Sequence, residues 1–191
     1  MTAGPVGLLE DWLEQARDAG LAEPWSVAFV TVGDGGRPSA RTVSLKRVEA
    51  DALLFTSALW TRKVRELAAN PQVALLFHWP ALGRQVHVTG SAEIAERQLA
   101  VALFEERDLA NRLQTLLSRQ GEAIDSVDPL RASHARLMKA SGAPPECPPD
   151  WGALRVRPDA IEFWEQSPDR MHDRLLYERR ADGWRLTRLA P

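Results

Sequence analysis

Cysteine is almost absent from this chain. Cys147 is the single one in 191 residues, so no intrachain disulfide can form and no thiolate cage can hold zinc or iron. An excess of one charge is missing too. The 24 Lys and Arg against 26 Asp and Glu leave a formal net charge of −2, which gives no field to draw in nucleic acid or an anionic membrane. Any anion site must therefore come from a local cluster of bases. No apolar run approaches the roughly 18 residues needed to span a bilayer. Met1 to Asp11 has no basic stretch leading into an apolar one, as a secretory leader would. A cytoplasmic protein is expected. His78, His87, His134 and His172 are scattered, with no H-E-x-x-H and no cysteine pair, so no metal site is expected. Glycine-rich nucleotide loops of the G-x-G-x-x-G or Walker type are lacking, and neither Ser133 nor Cys147 sits in a nucleophile elbow.

What is present is an ordinary globular composition, 45% hydrophobic and 26% charged, with seven tryptophans against one tyrosine. Large flat side chains suit a core or an interface, and they also suit a flat heteroaromatic ligand. Leu8, Leu9, Trp12, Leu13 and Ala16 recur at helical spacing between Pro5 and Gly20, which predicts a first amphipathic helix. Trp25–Val32 reads as a strand ended by the turn Gly33 to Gly36, Ala40–Val48 as a second strand and Ala52–Thr56 as a third. Thr61–Asn70 predicts a helix stopped by Pro71, and Gln72–Trp79 and Arg84–Ala95 predict two more strands. Three helical stretches follow, Glu96–Asp108, Leu109–Gln120 and Pro129–Ser141, then a proline-rich extended connector, Ala143–Pro149. Ala153–Val156, Ile161–Glu165, Arg174–Arg180 and Trp184–Leu189 complete the strands, the last two joined as a hairpin through Ala181-Asp182-Gly183. Short strands on hairpin turns, interrupted by helices, predict a mainly β, α+β fold: an antiparallel barrel with helices outside it. One domain over residues 1–191 is expected, with a helical insert at about 96–141 and a C-terminal segment at about 150–191.

Three clusters could carry chemistry. In Arg41-Thr42-Val43-Ser44-Leu45-Lys46 the two cations are five apart, so on a strand they face opposite sides unless a bulge intervenes. Either one of them lies at a packed or interfacial surface, or the strand is a solvated edge. In Phe55-Thr56-Ser57 followed by Thr61-Arg62-Lys63, two cations occupy a first helical turn, where the dipole favours acids. An anion such as a phosphate, bound beside the hydroxyls of Thr56, Ser57 and Thr61, would make that pattern sensible; two tolerated exposed bases are the plainer alternative. The third cluster is Trp164 followed by Arg170-Met171-His172-Asp173-Arg174. Asp173 can orient His172 or pair with an arginine, and arginine forks bind phosphate or carboxylate at two points.

Taken together these clusters resemble the pyridoxamine 5'-phosphate oxidase family, and the likeness runs through nearly the whole chain. The pieces that carry it are Gly36-Arg37-Pro38-Ser39-Ala40-Arg41, Val43-Ser44-Leu45-Lys46, Thr61-Arg62-Lys63, Glu66-Leu67-Ala68-Ala69-Asn70-Pro71, Leu76-Phe77, Arg84-Gln85-Val86, Ile161-Glu162-Phe163-Trp164, Arg170-Met171-His172-Asp173-Arg174 and Arg188-Leu189-Ala190-Pro191. Trp164 with the R-x-H-D-R run is the most specific, because simpler flavin-binding split barrels lack it. The resemblance implies an FMN-binding split β-barrel acting as a homodimer, with flavin at the subunit interface. It puts Arg41, Thr42, Val43, Ser44, Leu45, Lys46, Phe55, Thr56, Arg62, Lys63, Gln85, Gln120, Trp164 and Arg174 on flavin-contacting positions. Lys46, Arg107, Arg170 and His172 fall on substrate-contacting positions, Arg170 and His172 being the expected catalytic pair. The implied reaction moves a hydride from the substrate to the flavin and electrons onward to O2, giving hydrogen peroxide.

The departures from the family pattern are specific. Leu103 stands where a tyrosine bonds the substrate phosphate, and Asn111 where a companion serine does; leucine has no hydrogen-bonding group to offer. Gly121 replaces a flavin-contacting serine, and the arginine-rich N-terminal lid segment is missing before the first helix. Three functions stay open on this reading: an oxidase of pyridoxamine or pyridoxine 5'-phosphate, an oxidase of another reduced aromatic heterocycle like the phenazine-pathway branch of the family, or a flavin- or vitamer-binding protein without turnover.

Overall fold

The computed structural model describes residues 4–140 and 142–191. Residues 1–3 and the expected helix end at Ser141 lie outside the described residues. The chain forms two compact units, Met1–Phe55 with Glu66–Glu93 and Arg155–Pro191, and Thr56–Arg65 with Ile94–Leu154. Among the described residues no helix is long and apolar enough to cross a membrane.

The first unit carries most of a nine-stranded sheet. Its elements are α1 (Pro5–Asp18), β1 (Ser26–Val32), β2 (Pro38–Ser44), β3 (Arg47–Val48), the first half of β4 (Leu53–Ala58), the second half of α2 (Arg62–Ala69), β5 (Gln72–Trp79), β6 (Arg84–Ile94) but for its last residue, β7 (Trp151–Glu165) from Arg155 onward, β8 (Asp173–Arg180) and β9 (Gly183–Arg188). The strand order is β2-β1-β5-β6-β7-β4-β3, with β8 added to β7 and β9 to β8. Strands β1, β5 and β6 bury every second side chain, the period-two pattern of a sheet with one face in a core. Helix α1 starts at Pro5 and buries Val6, Leu9, Trp12, Leu13 and Ala16 along one stripe. Trp12 meets Phe163 edge-on at 5.1 Å, and the Arg84 guanidinium lies 4.5 Å above the Trp12 ring.

Two strand boundaries differ from the sequence reading. The stretch expected as one strand, Ala40–Val48, is two, because the chain changes neighbours at Leu45-Lys46. Up to Ser44 it pairs with β1; Leu45 N–H then donates to Trp25 O at 2.9 Å and Lys46 N–H to Leu54 O at 2.8 Å, and β3 continues on β4. Arg41 and Lys46 are therefore not on one strand, and the parity argument does not apply to them. Conversely, the two strands expected at Ala153–Val156 and Ile161–Glu165 are one long β7. Pro158 does not break it because the β8 ladder begins only at Ala160. Opposite, Gly90 has no side chain where a Cβ would stand 2.1 Å from Arg157 O.

A buried polar knot joins β1, β2 and α2. Glu66 Oε2 accepts from Thr31 Oγ1, from Ser39 Oγ at 2.6 Å and from Arg41 Nη2 at 3.4 Å. Arg41 also donates to Thr31 Oγ1 at 2.7 Å, Ser39 Oγ at 2.6 Å and Phe29 O at 3.1 Å. Thr31 is 0% and Glu66 8% exposed, so this carboxylate is taken out of water and is supported by hydrogen bonds from three residues.

The second unit is mostly helical, with α3 (Arg97–Glu105), α4 (Leu109–Leu117) and α5 (Asp128–Lys139). Asp108 caps α4: Oδ1 accepts from Asn111 N–H at 2.7 Å and Oδ2 from Asn111 Nδ2 at 2.8 Å. The backbone bond is the larger cause that holds its carboxyl below the usual range. Phe104, Ala58 and Trp151 form a buried cluster with Trp60 and Cys147 packed against it. The proline-rich connector is extended, as expected, and Arg97 ties it down by donating to the carbonyls of Cys147, Pro148 and Trp151 at 2.7–2.9 Å.

Two stability measurements follow from these contacts. Glu66→Ala takes the acceptor from the Thr31 and Ser39 hydroxyls and the buried carboxylate from Arg41, and should lower the free energy of unfolding in urea by roughly 3–5 kcal/mol; a loss below about 1 kcal/mol would show the knot to be solvated. Asp108→Ala should cost about 1 kcal/mol near neutral pH. Because the folded-state pKa of Asp108 is depressed, its contribution is present above the unfolded value of about 3.9 and is lost as pH falls through the folded one. The gap between wild type and Asp108→Ala should close on acidification below about pH 4, and a gap that stays constant to lower pH would contradict the cap.

Candidate functional site

In the second unit, the turn from β4 into α2 gathers donors. Ser57 is 2%, Thr61 7% and Lys63 7% exposed. Both hydroxyls donate to Ala58 O, Thr61 at 2.8 Å and Ser57 at 3.1 Å. Their oxygens face the Lys63 ammonium, at 2.8 Å from Ser57 Oγ and 3.4 Å from Thr61 Oγ1. Arg62 lies exposed on the same first turn, and Thr56 is half-buried. An ammonium positioned by two hydroxyl oxygens, a guanidinium and the N-terminal end of a helix dipole within a few residues form the donor set that a phosphate takes. The chemistry of this set fits the terminal phosphate of FMN.

Gln120 is placed in the same unit by its backbone. Trp60 Nε1 donates to Gln120 O at 3.2 Å, and Arg119 sits 4.0 Å over the Trp60 ring. Next to it Gly121 has φ 92°, a conformation that a serine, usual at this position in the family, adopts only with strain. Leu103 is 1% exposed and belongs to the core of this unit. Arg107 is half-buried, its Nη2 donating to Asn111 O at 2.9 Å and Thr115 Oγ1 at 3.2 Å, with its guanidinium 4.7 Å from the Trp151 ring centroid. Burial pushes its pKa down from the ordinary value, although the group stays charged. Arg107 Nε and Trp151 Nε1 are, among the described residues, the buried side-chain nitrogens with no hydrogen-bond partner. Asn111 is exposed, its side chain spent on Asp108.

In the first unit, Arg41 is half-buried with its guanidinium in the Glu66 knot. Thr42 is exposed, Val43 and Ser44 half-buried, Leu45 buried and Lys46 exposed. Phe55 is buried edge-on to Phe29 at 5.2 Å. Gln85 is half-buried on β6, paired in register with His78. Trp164 and Arg174 face each other across the β7–β8 ladder. Arg174 Nε donates to Glu162 Oε1 at 2.7 Å, which raises its pKa, and Nη1 donates to Ala190 O at 3.1 Å. Arg188 bonds Asp173, so of the two roles left open for Asp173 the structure shows the arginine pair.

His172 is oriented by something else. Ser167 N–H donates to His172 Nδ1 at 3.1 Å, and the imidazole lies against Trp164 with ring centroids 4.7 Å apart. Trp164, Gln166, Ser167, Pro168, Arg170 and His172 line a cavity of about 370 Å³. The loop follows β7 at Gln166, whose N–H donates to the carbonyl of Gly83 in the turn before β6 at 2.8 Å; with φ 61° and no Cβ, Gly83 leaves room for the Gln166 side chain. Ser167 and Asp169 were not singled out from the sequence, although Ser-Pro-Asp before an arginine is a turn-forming run that could have flagged them.

Comparison with known proteins gives the family and the fold. Residues 13–165 match the family described as pyridoxamine 5'-phosphate oxidase, and residues 151–191 match the pyridoxine 5'-phosphate oxidase C-terminal dimerisation region. A pyridoxine/pyridoxamine 5'-phosphate oxidase of Burkholderia lata is 42% identical over 190 residues, covering 98% of this chain and 89% of that protein. One from Rubrobacter xylanophilus is 43% identical over 188 residues, covering 98% and 87%. Among solved structures, PhzG of Burkholderia lata in complex with tetrahydrophenazine-1-carboxylic acid superposes with a TM-score of 0.90 at 30% identity, covering 99% of this chain and 93% of that one. A pyridoxamine 5'-phosphate oxidase-related, FMN-binding protein of Nostoc punctiforme, 19% identical, shares the fold with a TM-score of 0.81 over 100% of both chains. The chain is an α+β split barrel and belongs to the pyridoxamine 5'-phosphate oxidase family.

Proposed function

We propose that this chain is an FMN-dependent oxidase of pyridoxamine or pyridoxine 5'-phosphate, cytoplasmic and homodimeric, with flavin at the subunit interface and O2 as electron acceptor. Residues 1–191 act as one functional domain in this reading. The observation that carries it is the loop that presents Arg170 and His172 beside Trp164 around a cavity of about 370 Å³, since flavin-binding split barrels without the R-x-H-D-R run have no counterpart to it. The donor set at α2 supplies the second support: Lys63, positioned by Ser57 and Thr61, and Arg62 hold the FMN phosphate.

When bound, FMN supplies the hydride acceptor and the route of electrons to O2, chemistry that no side chain provides. The chain's own residues bind and orient. Thr56 and Gln120 hold polar edges of the cofactor, and Gln85 satisfies edges of its ring. Arg41 and Phe55 act through backbone, since the Arg41 guanidinium is tied to Glu66 and the Phe55 ring is buried. Thr42 to Ser44 on β2, with Leu45 just past it, would contact the cofactor, as would Trp164 and Arg174. Lys46, Arg107, Arg170 and His172 bind substrate. His172 Nδ1 accepts a backbone N–H, so its ring proton sits on Nε2 and can be donated to a substrate oxygen.

A second reading is favoured by one specific place. Around Arg107, Leu103 is buried and Asn111 is turned to Asp108, so the two hydroxyls that serve a phosphate in the family are missing. The likeness to PhzG bound to tetrahydrophenazine-1-carboxylic acid points the same way: the substrate would be a larger reduced heterocycle without a phosphate ester.

Peroxide release by the flavin-loaded protein, offered pyridoxamine 5'-phosphate beside a panel of dihydro-aromatics, separates the two readings. The first expects pyridoxal 5'-phosphate and peroxide in equal amounts; turnover of the B6 phosphate that is slow beside turnover of a dihydro-aromatic selects the second. In that second case Asn111→Ser, which restores one hydroxyl near Arg107, should raise kcat/KM for pyridoxamine 5'-phosphate by about tenfold, the worth of one charge-assisted hydrogen bond. An unchanged value would show that the phosphate does not bind there. For the cofactor, Arg62→Ala should weaken FMN by roughly 1.5–3 kcal/mol while leaving riboflavin unchanged. Riboflavin binding as tightly as FMN to the wild type would contradict the phosphate assignment.

A further inference from the structure

Arg170 has φ 70° and is the one non-glycine residue with positive φ among the described residues. A branched or long side chain is disfavoured there, and glycine would sit at no steric cost. An arginine kept in that conformation needs neighbours that over-determine it, an arrangement that is concentrated at functional sites. Asp169 supplies them. Its Oδ1 accepts from Met171 N–H at 2.9 Å, bridging directly across Arg170, and the same oxygen accepts from Ser167 Oγ. Arg170 N–H donates back to Ser167 O at 3.2 Å, which closes the turn from the other side. Both Asp169 bonds lower its carboxyl pKa, the Ser167 hydroxyl most.

The same turn sets the histidine. Ser167, held through its hydroxyl by Asp169, points its backbone N–H at His172 Nδ1 at 3.1 Å. A backbone N–H can only donate, so the bond selects the ring tautomer protonated on Nε2. Asp169 is not among the residues lining the cavity, whereas Ser167, Arg170 and His172 are. One carboxylate outside the cavity thus fixes both the backbone of its arginine and the tautomer of its histidine.

We propose that Asp169 is a positioning residue that holds Arg170 in its left-handed conformation and, through Ser167, keeps His172 in the Nε2-protonated form. The proposal rests on the reading of Arg170 and His172 as substrate-binding groups. It concerns a residue outside the Trp164 and R-x-H-D-R pattern, and it makes the loop Ser167–His172 a preset clamp.

The test uses the full-length, FMN-loaded protein with Asp169→Ala, Asp169→Asn, Arg170→Ala and His172→Ala. Turnover is measured with pyridoxamine 5'-phosphate, or with a dihydrophenazine carboxylate if the wild type oxidises only that. A second readout, independent of turnover, is the ¹⁵N chemical-shift pair of His172 in the flavin-free protein, which reports the tautomer. Asp169→Ala should raise KM by at least about tenfold, in keeping with the cost of misplacing a binding group by an ångström. It should leave flavin absorbance unchanged and mix the His172 tautomers. Asp169→Asn keeps the Oδ1 acceptor and should restore both readouts to within about threefold of wild type. A wild-type value for Asp169→Ala in either readout, or an asparagine variant as impaired as the alanine, overturns the proposal. Wild-type turnover by Arg170→Ala and His172→Ala instead overturns the underlying reading of the loop, whatever Asp169 does.

Discussion

A carboxylate buried at 8% exposure is the constraint on which the first unit depends. Glu66 cannot remain charged away from water without strong compensation, and its partners come from β1 and β2: Thr31, Ser39 and Arg41. Arg41 spends its guanidinium on this knot and on Phe29 O. That fixes β2 against β1 just before the chain exchanges neighbours at Leu45-Lys46. The run Arg41–Lys46 is thereby anchored at its start by the knot and along Thr42 to Ser44 by the β1 ladder, with Thr42 and Lys46 exposed.

A similar division of labour runs through the C-terminal strands. Arg174 bonds Glu162 and the carbonyl of Ala190, Leu189 N–H donates to Arg174 O, and Arg188 takes Asp173. These contacts fasten the chain's last residues to β8 and fix Trp164 opposite Arg174. Beyond the ladder, the loop from Gln166 to His172 is held by its own short bonds and by Gly83. Surface ion pairs of this kind contribute little stability individually. Their effect is to define where the side chains that line the cavity begin.

Much of this was legible in the sequence. Strand β5 carries the expected bounds, Gln72–Trp79, and the α2 and α1 stretches follow their apolar spacing and proline signals. The sequence could not show the neighbour exchange at Leu45-Lys46, since alternation persists through it and only tertiary pairing reveals the corner. The gap expected between Ala153–Val156 and Ile161–Glu165 is closed, because Pro158 is tolerated where the β8 ladder has not yet started and Gly90 leaves room across from it. At the site, the donors at Ser57–Lys63 stood out because cations in a first helical turn defy the dipole. The sequence left open whether Asp173 orients His172, and the structure gives that orientation to a backbone amide. A main-chain donor leaves no mark in residue identities. Leu103, one of the apolar residues of the expected helix Glu96–Asp108, is buried in the core as its spacing allows.

The likeness to curated oxidases above 40% identity and to PhzG at a TM-score of 0.90 places two substrate chemistries on one scaffold. On the function proposed above, either chemistry would have a bound flavin take electrons from a small reduced molecule held by the Arg170–His172 loop. The most direct measurement is anaerobic: FMN-loaded protein is mixed with pyridoxamine 5'-phosphate or a dihydro-aromatic, and the visible flavin absorbance is followed before and after admitting O2. The account predicts bleaching by at least one of these substrates and full recovery with peroxide when O2 enters. Protein that binds FMN but is bleached by neither would contradict it, and would leave a flavin carrier in place of an oxidase.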